Sequence, residues 1–481
     1  MTEFAIQHGW LLLGVGYLLL HLVGLGMALH VILNGRTPQG TVAWLMALLA
    51  MPMLAIPLYL FLGSPRFWGY IRARRAGDTR LTPVVEELVA NARGMDLLPE
   101  QTRQFMRVSS ELARMPFSRG NDARLLVDGE ATFDAICAAI DEARDYILVQ
   151  FYIIHDDGLG RRFRDHLIAR ARAGVRIHLL YDEIGCWDLP RAYLDGLREA
   201  GIEVAGFSAT RRWQNRFRIN FRNHRKVVVV DGRVAFLGGH NVGDEYLGLD
   251  PKLGHWRDTH VRLEGPVVHA VQLAFLEDWY WSREQIPELD WQPRLATTPG
   301  LDTLILPSGP ADELDSFEMF VLEAINAAQR RLWIVSPYFV PDEGVIHALQ
   351  LAAMRGVDVR IMLPARADHL LVHMASYSYL GDLAATGARV FRYGRGFLHQ
   401  KVLLVDEDIA TVGTANFDNR SFRINFEISA VFVDAGFAAE VEQMLREDFR
   451  HCFEAHPSDF EARPFWFRIG ARLARLFAPM L

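Results

Sequence analysis

His224, Lys226 and Asp231 recur later in the chain as His399, Lys401 and Asp406, with the same spacing. In each copy Lys follows His by two residues and Asp follows Lys by five. Gly238 and Gly413 come seven residues after the Asp, and Asn241 and Asn416 three after that. A lone His-x-Lys is ordinary strand sequence, but the whole set repeated in one chain points to a site. Two imidazoles facing each other suit displacement at a phosphodiester. One attacks phosphorus and becomes a phosphohistidine. The other protonates the departing alcohol, whose high pKa demands an acid, and then deprotonates the incoming one. Lys226, Lys401, Asn241 and Asn416 are expected to surround the phosphate oxygens and stabilise the charge that develops there. No carboxylate or histidine cluster has metal-ligand spacing and there is no GxxxxGK[ST] loop, so neither a metal nor a nucleotide cofactor is expected.

The elements that must position these groups follow from periodicity. Residues two apart share a strand face, so His224 and Lys226 should emerge together. Val227 to Val230 reads as a buried strand, Asp231-Gly232 as a turn, and VAFLGG as the returning partner. This puts His, Lys and Asn at one end of a hairpin and Asp231 at the other. Asp231 and Asp406 complete the candidate catalytic set of six, but in a supporting part, tying the hairpins down. Gly238 and Gly413 are expected to leave backbone open to a ligand, the first together with Gly239. Asp258 and Glu427 open the strands that follow the two motifs, and are expected to fix the imidazole tautomers.

The motifs sit in a larger duplication. FDAICAAIDEARDYILVQFYI, from Phe133, parallels FEMFVLEAINAAQRRLWIVSPYF, from Phe317. AGVRIHLLYD parallels RGVDVRIMLP, and REAGIEVAGF parallels AATGARVFRY. Each half alternates helices with short apolar strands before its motif hairpin, which predicts an α/β layer architecture. The halves should span residues 121–296 and 297–460, with the boundary in PELDWQPRLATTPG, and pack about a pseudo-twofold axis with the motifs facing across it.

The N-terminus predicts a two-helix transmembrane hairpin within residues 1–66, with spans at about 10–33 and 41–62. A cleaved signal peptide fits poorly, because MTEF carries no basic n-region and a second apolar stretch follows. Arg66, Arg72, Arg74, Arg75 and Arg80 follow the second span, against Arg36 in the connecting loop. The positive-inside rule therefore predicts a multi-pass protein of the cell (inner) membrane with its large C-terminal part in the cytoplasm. Trp68 and Tyr70 are expected to anchor that interface, Pro52 and Pro57 to kink the second helix, and His21 and His30 to pack as neutral rings. Residues 67–120 read as linker helices. Net charge is -7, which argues against a dedicated nucleic-acid binder. The three cysteines are scattered and read as inert buried thiols. From Arg211 to Lys226, arginines interleave with Trp213, Phe217 and Phe221, a pattern that suits single-stranded nucleic acid or anionic headgroups. The apolar hairpin favours the lipid. Residues 461–481 form a basic amphipathic tail, fit to lie on an anionic membrane or to pack on the catalytic part.

The duplicated HxKx4D with its downstream Gly and Asn resembles the phospholipase D superfamily, from Asn121 to about Phe460. The two-span N-terminus, FRNHRK, GGHNVGDEYLG, SPYFVPDEG, NRSFRINFE and the C-terminal RPFWFRIGARLARLFAPML narrow the resemblance to bacterial cardiolipin synthases. One departure is that the usual serine of GSxN is Gly239 in the first copy and Thr414 in the second. The resemblance implies two α/β/α halves and a cofactor-free transesterification. One phosphatidylglycerol would give its phosphatidyl group to the enzyme and release glycerol, and a second would accept it, giving cardiolipin. The expected partners are phosphatidylglycerol and anionic membrane lipid, with no nucleic acid. A phospholipase D or transphosphatidylase using water or other alcohols is the alternative, followed by a membrane-tethered nuclease. Two intact motifs argue against a non-catalytic lipid-binding protein. Because the arginine-aromatic stretch runs into His224, His224 is expected to be the nucleophile and His399 the acid and base.

Overall fold

In the computed structural model, residues 2–35, 38–63, 70, 100–208 and 220–478 are described. They fall into two compact units, Met1–Gly69 with Ala209–Phe221, and Tyr70–Ser208 with Arg222–Leu481.

In the first unit a single helix, Thr2–Asn34, is nearly continuous apolar sequence from Trp10 to Leu33. Its segment His8–Asn34 is 27 residues long and apolar enough to cross a bilayer. The second apolar stretch is broken. Pro52 lacks an N–H and pushes Met51 out of helical geometry (φ -138, ψ 60), so Pro38–Ala50 and Pro52–Leu62 form helices of 13 and 11 residues. Pro57 lies inside the latter. A small core of Val31, Leu48, Ala55 and Tyr59 joins the helices. Gly24 lets them approach closely, since a Cβ there would lie 2.8 Å from the Leu48 carbonyl oxygen. His30 Nδ1 is 2.8 Å from the Tyr59 hydroxyl and His21 Nδ1 is 2.9 Å from the Tyr17 carbonyl oxygen, so both rings are hydrogen-bonded.

Among its described residues, the second unit is built on one mixed sheet of 16 strands. At its middle Ser118–Val127 pairs antiparallel with Leu301–Ser308. Outward from this seam each half repeats one order. Thr259–Glu264 comes next on one side and Asn425–Val433 on the other. The motif hairpins follow: Val234–Gly238 with Val227–Val230, and Ile409–Gly413 with Val402–Val405. Three parallel strands come next in each half: Tyr146–Phe151, Arg176–Asp182 and Glu203–Phe207, and Arg331–Val335, Asp358–Pro364 and Arg389–Tyr393, the last edged in the second half by the antiparallel Cys452–Ala455. Tyr146–Phe151 is buried along its whole length, as a strand covered on both faces should be. Helices Asp128–Glu142, Gly158–Arg172 and Arg191–Glu199 supply the apolar cover of the first half through Phe133, Ile136, Phe163, Leu167 and Leu197. The chain between the halves, around residues 286–300, has no regular structure.

One expectation about residues 67–120 changes. Tyr70 is not an interface anchor. It is 2% exposed, its hydroxyl donates to Asp278 Oδ1 at 2.7 Å, and its ring lies against Phe426 and Trp281. The second expected linker helix is present as Glu100–Ala113, and it packs on the helix Ser316–Ala327. Its apolar face seats Phe105 against Phe320, and Gln101 donates to the Ala327 carbonyl, both on the helix Ser316–Ala327 or at its end. Trp68, the arginines after the second apolar stretch, the first expected linker helix and positions 209–219 lie outside the described residues.

Candidate active site

Each motif histidine follows a very short strand that pairs with the opposite half. Arg222–Asn223 runs parallel to Asn425–Phe426, and the His224 N–H donates to the Phe426 carbonyl at 2.9 Å. Gly396–Leu398 runs parallel to His255–Arg257, and the His399 N–H donates to the Arg257 carbonyl at 2.8 Å. These clamps bring each imidazole to the acid that comes next on the other half's strand. His224 Nδ1 lies 2.9 Å from Glu427 Oε2, and His399 Nδ1 lies 2.6 Å from Asp258 Oδ2. The sequence named both acids, and the structure shows that the pairing is crossed.

The two acids are held differently. Glu427 Oε2 also accepts from the Thr414 hydroxyl at 2.6 Å, while Oε1 accepts from Ser421 and from the Asn425 amide. Burial pushes the Glu427 carboxyl up, but His224, Lys226 and Thr414 outweigh it and hold the group below its ordinary value. Asp258 accepts from the Thr259 N–H at 2.8 Å and from the Trp256 indole at 3.4 Å. Burial raises its carboxyl above the ordinary range, with His240 and Lys401 pulling back. Gly239 stands where Thr414 does in the other copy. A Cβ at Gly239 would lie 2.0 Å from Asp258 Oδ1, so the shorter acid occupies the space of the missing side chain.

Both imidazoles are pushed down by burial, His224 to about 4, where Glu427 opposes the shift. His399 is lowered well below its ordinary value by burial, then by Lys401, Lys226 and His224. The lysines are buried, and each Nζ donates to the carbonyl of its own motif histidine, Lys226 at 2.7 Å and Lys401 at 2.6 Å. Burial lowers both ammonium groups, Lys226 far and Lys401 to about 8.

Asp231 and Asp406 sit at the hairpin turns with φ of 52 and 48. Asp231 accepts from the N–H groups of Arg144, Asp145 and Tyr146, and Asp406 from those of Gln329, Arg330 and Arg331. They stitch the turn to the start of the neighbouring strand. The glycines require a correction. Gly238 and Gly413 make room for the protein's own chain rather than for a ligand: a Cβ would lie 2.5 Å from the Thr259 carbonyl oxygen and 2.8 Å from that of Ile428. Asn241 is committed internally, accepting from the Ile153 N–H and donating to the Tyr246 hydroxyl. Asn416 leaves its buried amide oxygen without a hydrogen-bond partner among the described residues.

His224, His399, Asn241 and Asn416 line one cavity of about 910 Å³. Its wall adds Arg222, from the arginine-aromatic stretch, and Tyr152, Trp256, Tyr338 and Arg420, which motif reading missed. Tyr152 stands edge-on to His224 at 5.0 Å between ring centres, and Trp256 flanks His399 at 5.1 Å. Two buried aspartates were missed as well. Asp278 binds Arg225, Gln150 and Asn223, and Asp448 binds Arg257 and Gln400. Arg225 and Gln400 stand between His and Lys in their motifs, so each aspartate anchors a motif strand from the helix behind it. The signal was there: Glu-Asp-aromatic recurs as EDW and EDF after each motif.

The family model described as cardiolipin synthase, PLD-like domain matches residues 136–274 and 321–449, one segment in each half. A cardiolipin synthase A of Pseudomonas putida is 47% identical over 477 residues, covering 97% of this chain and 98% of that protein. The chain belongs to the cardiolipin synthase family. A cardiolipin synthase A of Pseudomonas fluorescens is similarly close, 48% identical over 471 residues, with 97% of this chain and 98% of that protein covered. Residues 25–64 match a second model, the phospholipase D-nuclease N-terminal segment. The crystal structure of a phosphatidylserine synthase from Haemophilus influenzae superposes with TM-score 0.61 at 14% identity, covering 79% of this chain and all of that one, and so shares the fold. Membership of the cardiolipin synthase family makes the chain a membrane-associated phosphatidyltransferase of phospholipid biosynthesis.

Proposed function

We propose that this phosphatidyltransferase joins two phosphatidylglycerols. The observation that carries the reading is the pair of imidazoles on one cavity, each gripped at Nδ1 by a carboxylate from the other half. That grip leaves each Nε2 for chemistry and fixes the tautomer. His224 Nε2 attacks the phosphorus of the first phosphatidylglycerol, and the P–O bond to glycerol breaks as His399 donates a proton to the departing oxygen. His399 then takes the proton from a hydroxyl of a second phosphatidylglycerol. That oxygen displaces His224 from phosphorus, giving cardiolipin and the starting enzyme. Atoms and charge balance over the cycle, and one phosphodiester replaces another.

The depressed His224 is neutral at physiological pH, as a nucleophile must be. His399 is held down partly by the lysine charges. A bound phosphodiester anion offsets those charges and lets His399 carry the proton. Lys226, Lys401, Asn416, Arg222 and Arg420 stabilise the phosphoryl oxygens. Asn241 positions Tyr246, and Asp231 and Asp406 hold the hairpins.

The domain reading is proposed with it: residues 1–66 as a hairpin, 67–120 as a connecting segment, 121–296 and 297–460 as halves about a pseudo-twofold axis, and 461–481 as the tail. The helices of 13 and 11 residues cross the bilayer as one kinked span, and the catalytic part faces the cytoplasm. Purified protein with phosphatidylglycerol liposomes tests the reaction. Cardiolipin and free glycerol should appear in equal amounts. Phosphatidic acid in place of cardiolipin would make the enzyme a hydrolase.

A further inference from the structure

The C-terminal helix Phe465–Leu476 divides into three sectors. At ~100° per residue, Phe467, Ala471 and Ala474 share one side, and these are buried. Phe465, Trp466, Ile469, Leu473, Leu476 and Phe477 fall within an arc of roughly 120°, and all six are exposed, Trp466 by 67% and Leu476 by 75%. Arg468, Arg472 and Arg475 lie along the remaining sector, beside the apolar arc.

The buried side is mounted firmly on the helix Leu370–Tyr377. Phe467 meets the Tyr377 ring edge-on at 5.5 Å, and Arg463 donates to the Tyr377 hydroxyl at 3.0 Å. Gly470 gives space to Met374, whose Cε would lie 2.3 Å from a Cβ there. Arg475 binds Asp382 and the Ser378 carbonyl just beyond. The supporting helix is itself part of the cavity wall: Leu370, Leu371 and Val372 line it, and the first two are exposed by 64% and 55%.

We propose that the outward arc of the C-terminal helix, with Leu370 and Leu371 at the cavity rim, is an interfacial docking face for anionic phospholipid. It holds the mouth of the cavity at the bilayer surface, so that lipid passes from the membrane along the Leu370–Tyr377 helix to His224 and His399. Charge argues for this occupant, because Arg468 and Arg472 flank the apolar arc as arginines do on helices that lie in anionic interfaces, while Arg475 is tied to Asp382. Continuity argues for it too, since the face runs through one packed pair of helices into the cavity wall. The inference rests on the lipid reading of that cavity.

The test uses the full chain, because its N-terminal helices keep variants on the membrane. A fluorophore is placed on Leu473→Cys in a Cys452→Ala background, the other two thiols being buried. In phosphatidylglycerol vesicles the label should be quenched by spin-labelled lipid and shielded from aqueous iodide. Quenching by iodide, or shielding from both as in a protein-protein contact, would overturn the proposal. In parallel, Trp466→Ser/Ile469→Ser/Leu473→Ser is assayed on bilayers and on dispersed short-chain phosphatidylglycerol. A rate at least ~10-fold lower on bilayers, with the short-chain rate unchanged, is expected. Equal rates on both, relative to the unsubstituted protein, would also overturn it. Should the unsubstituted protein make no cardiolipin from either substrate, the transferase reading fails while the quenching still reports docking.

Discussion

The two halves share a backbone plan but not the chemistry around their histidines. Glu427, from the second half, is gripped by a threonine, a serine and an asparagine and is held anionic behind His224. Asp258, from the first half, has fewer donors, is raised by burial, and lies closer to its partner His399. Thr414 and Gly239 occupy equivalent motif places, one supplying a hydrogen bond to its acid and the other vacating space for it. Duplication thus supplied two copies of a scaffold, and divergence in the supporting shell gave the histidines unequal surroundings. Unequal surroundings are what a nucleophile and an acid-base group require.

The largest effect should come from removing either imidazole. His224→Ala and His399→Ala should each lower cardiolipin formation by ~10⁴-fold or more, and near-normal activity in either would sink the single-site reading. A substrate whose leaving group is an acidic phenol separates the roles, since it needs no acid. Quenched in denaturant at mildly alkaline pH, where a phosphohistidine survives, His399→Ala should retain a labelled phosphatidyl group and His224→Ala should not. The opposite pattern would exchange the two roles.

Next come substitutions that force the halves to match. Gly239→Ser restores the usual motif residue but drives its Cβ into Asp258, which is 2.0 Å from that position. Displacing His399's partner by about an ångström should cost ~10²-fold in kcat. Thr414→Val removes one bond to a charged group, so a loss of ~10-fold is expected. If Gly239→Ser is the milder of the two, the steric account of the asymmetry is wrong.

The hairpin aspartates should behave alike in both halves. Asp231→Asn and Asp406→Asn keep the side-chain shape but weaken the bonds to three N–H groups each. Each should lower unfolding stability by about 0.5–3 kcal/mol, with activity largely kept below the unfolding temperature. Thermal melts with activity assayed at low temperature check this, and lost activity with an unchanged melt would move these residues into the chemistry.

The smallest effect is a pH dependence of stability. His224 is lowered to about 4 by burial, so between its ordinary pKa of about 6.5 and that value the unfolded chain binds a proton that the folded one does not. The His224 contribution to stability should therefore fall as pH drops through this window and level off below it. His224→Ala should flatten part of that slope in melts taken from pH 7 to 4. An unchanged slope would mean that His224 is protonated in the folded protein.

Much of this protein is local in sequence. The repeated motif named the histidines, lysines and aspartates, because strand alternation and turn residues are short-range signals. Apolar runs of alternating period disclosed the α/β halves, and EDW and EDF marked two anchors that were overlooked. Tyr70 was misplaced because an aromatic beside an apolar helix reads the same whether it faces lipid or a buried aspartate. What only the tertiary structure decided is which acid serves which imidazole. Glu427 lies 203 residues from His224 and Asp258 lies 141 from His399. The pairing is set by two-residue and three-residue strands that align backbone hydrogen bonds between halves. Such strands are too short to have a period, and a hydrogen bond between main chains leaves no mark on side-chain identity. The meaning of Gly239 was hidden for the same reason: it is the absence of a Cβ where a distant carboxylate arrives.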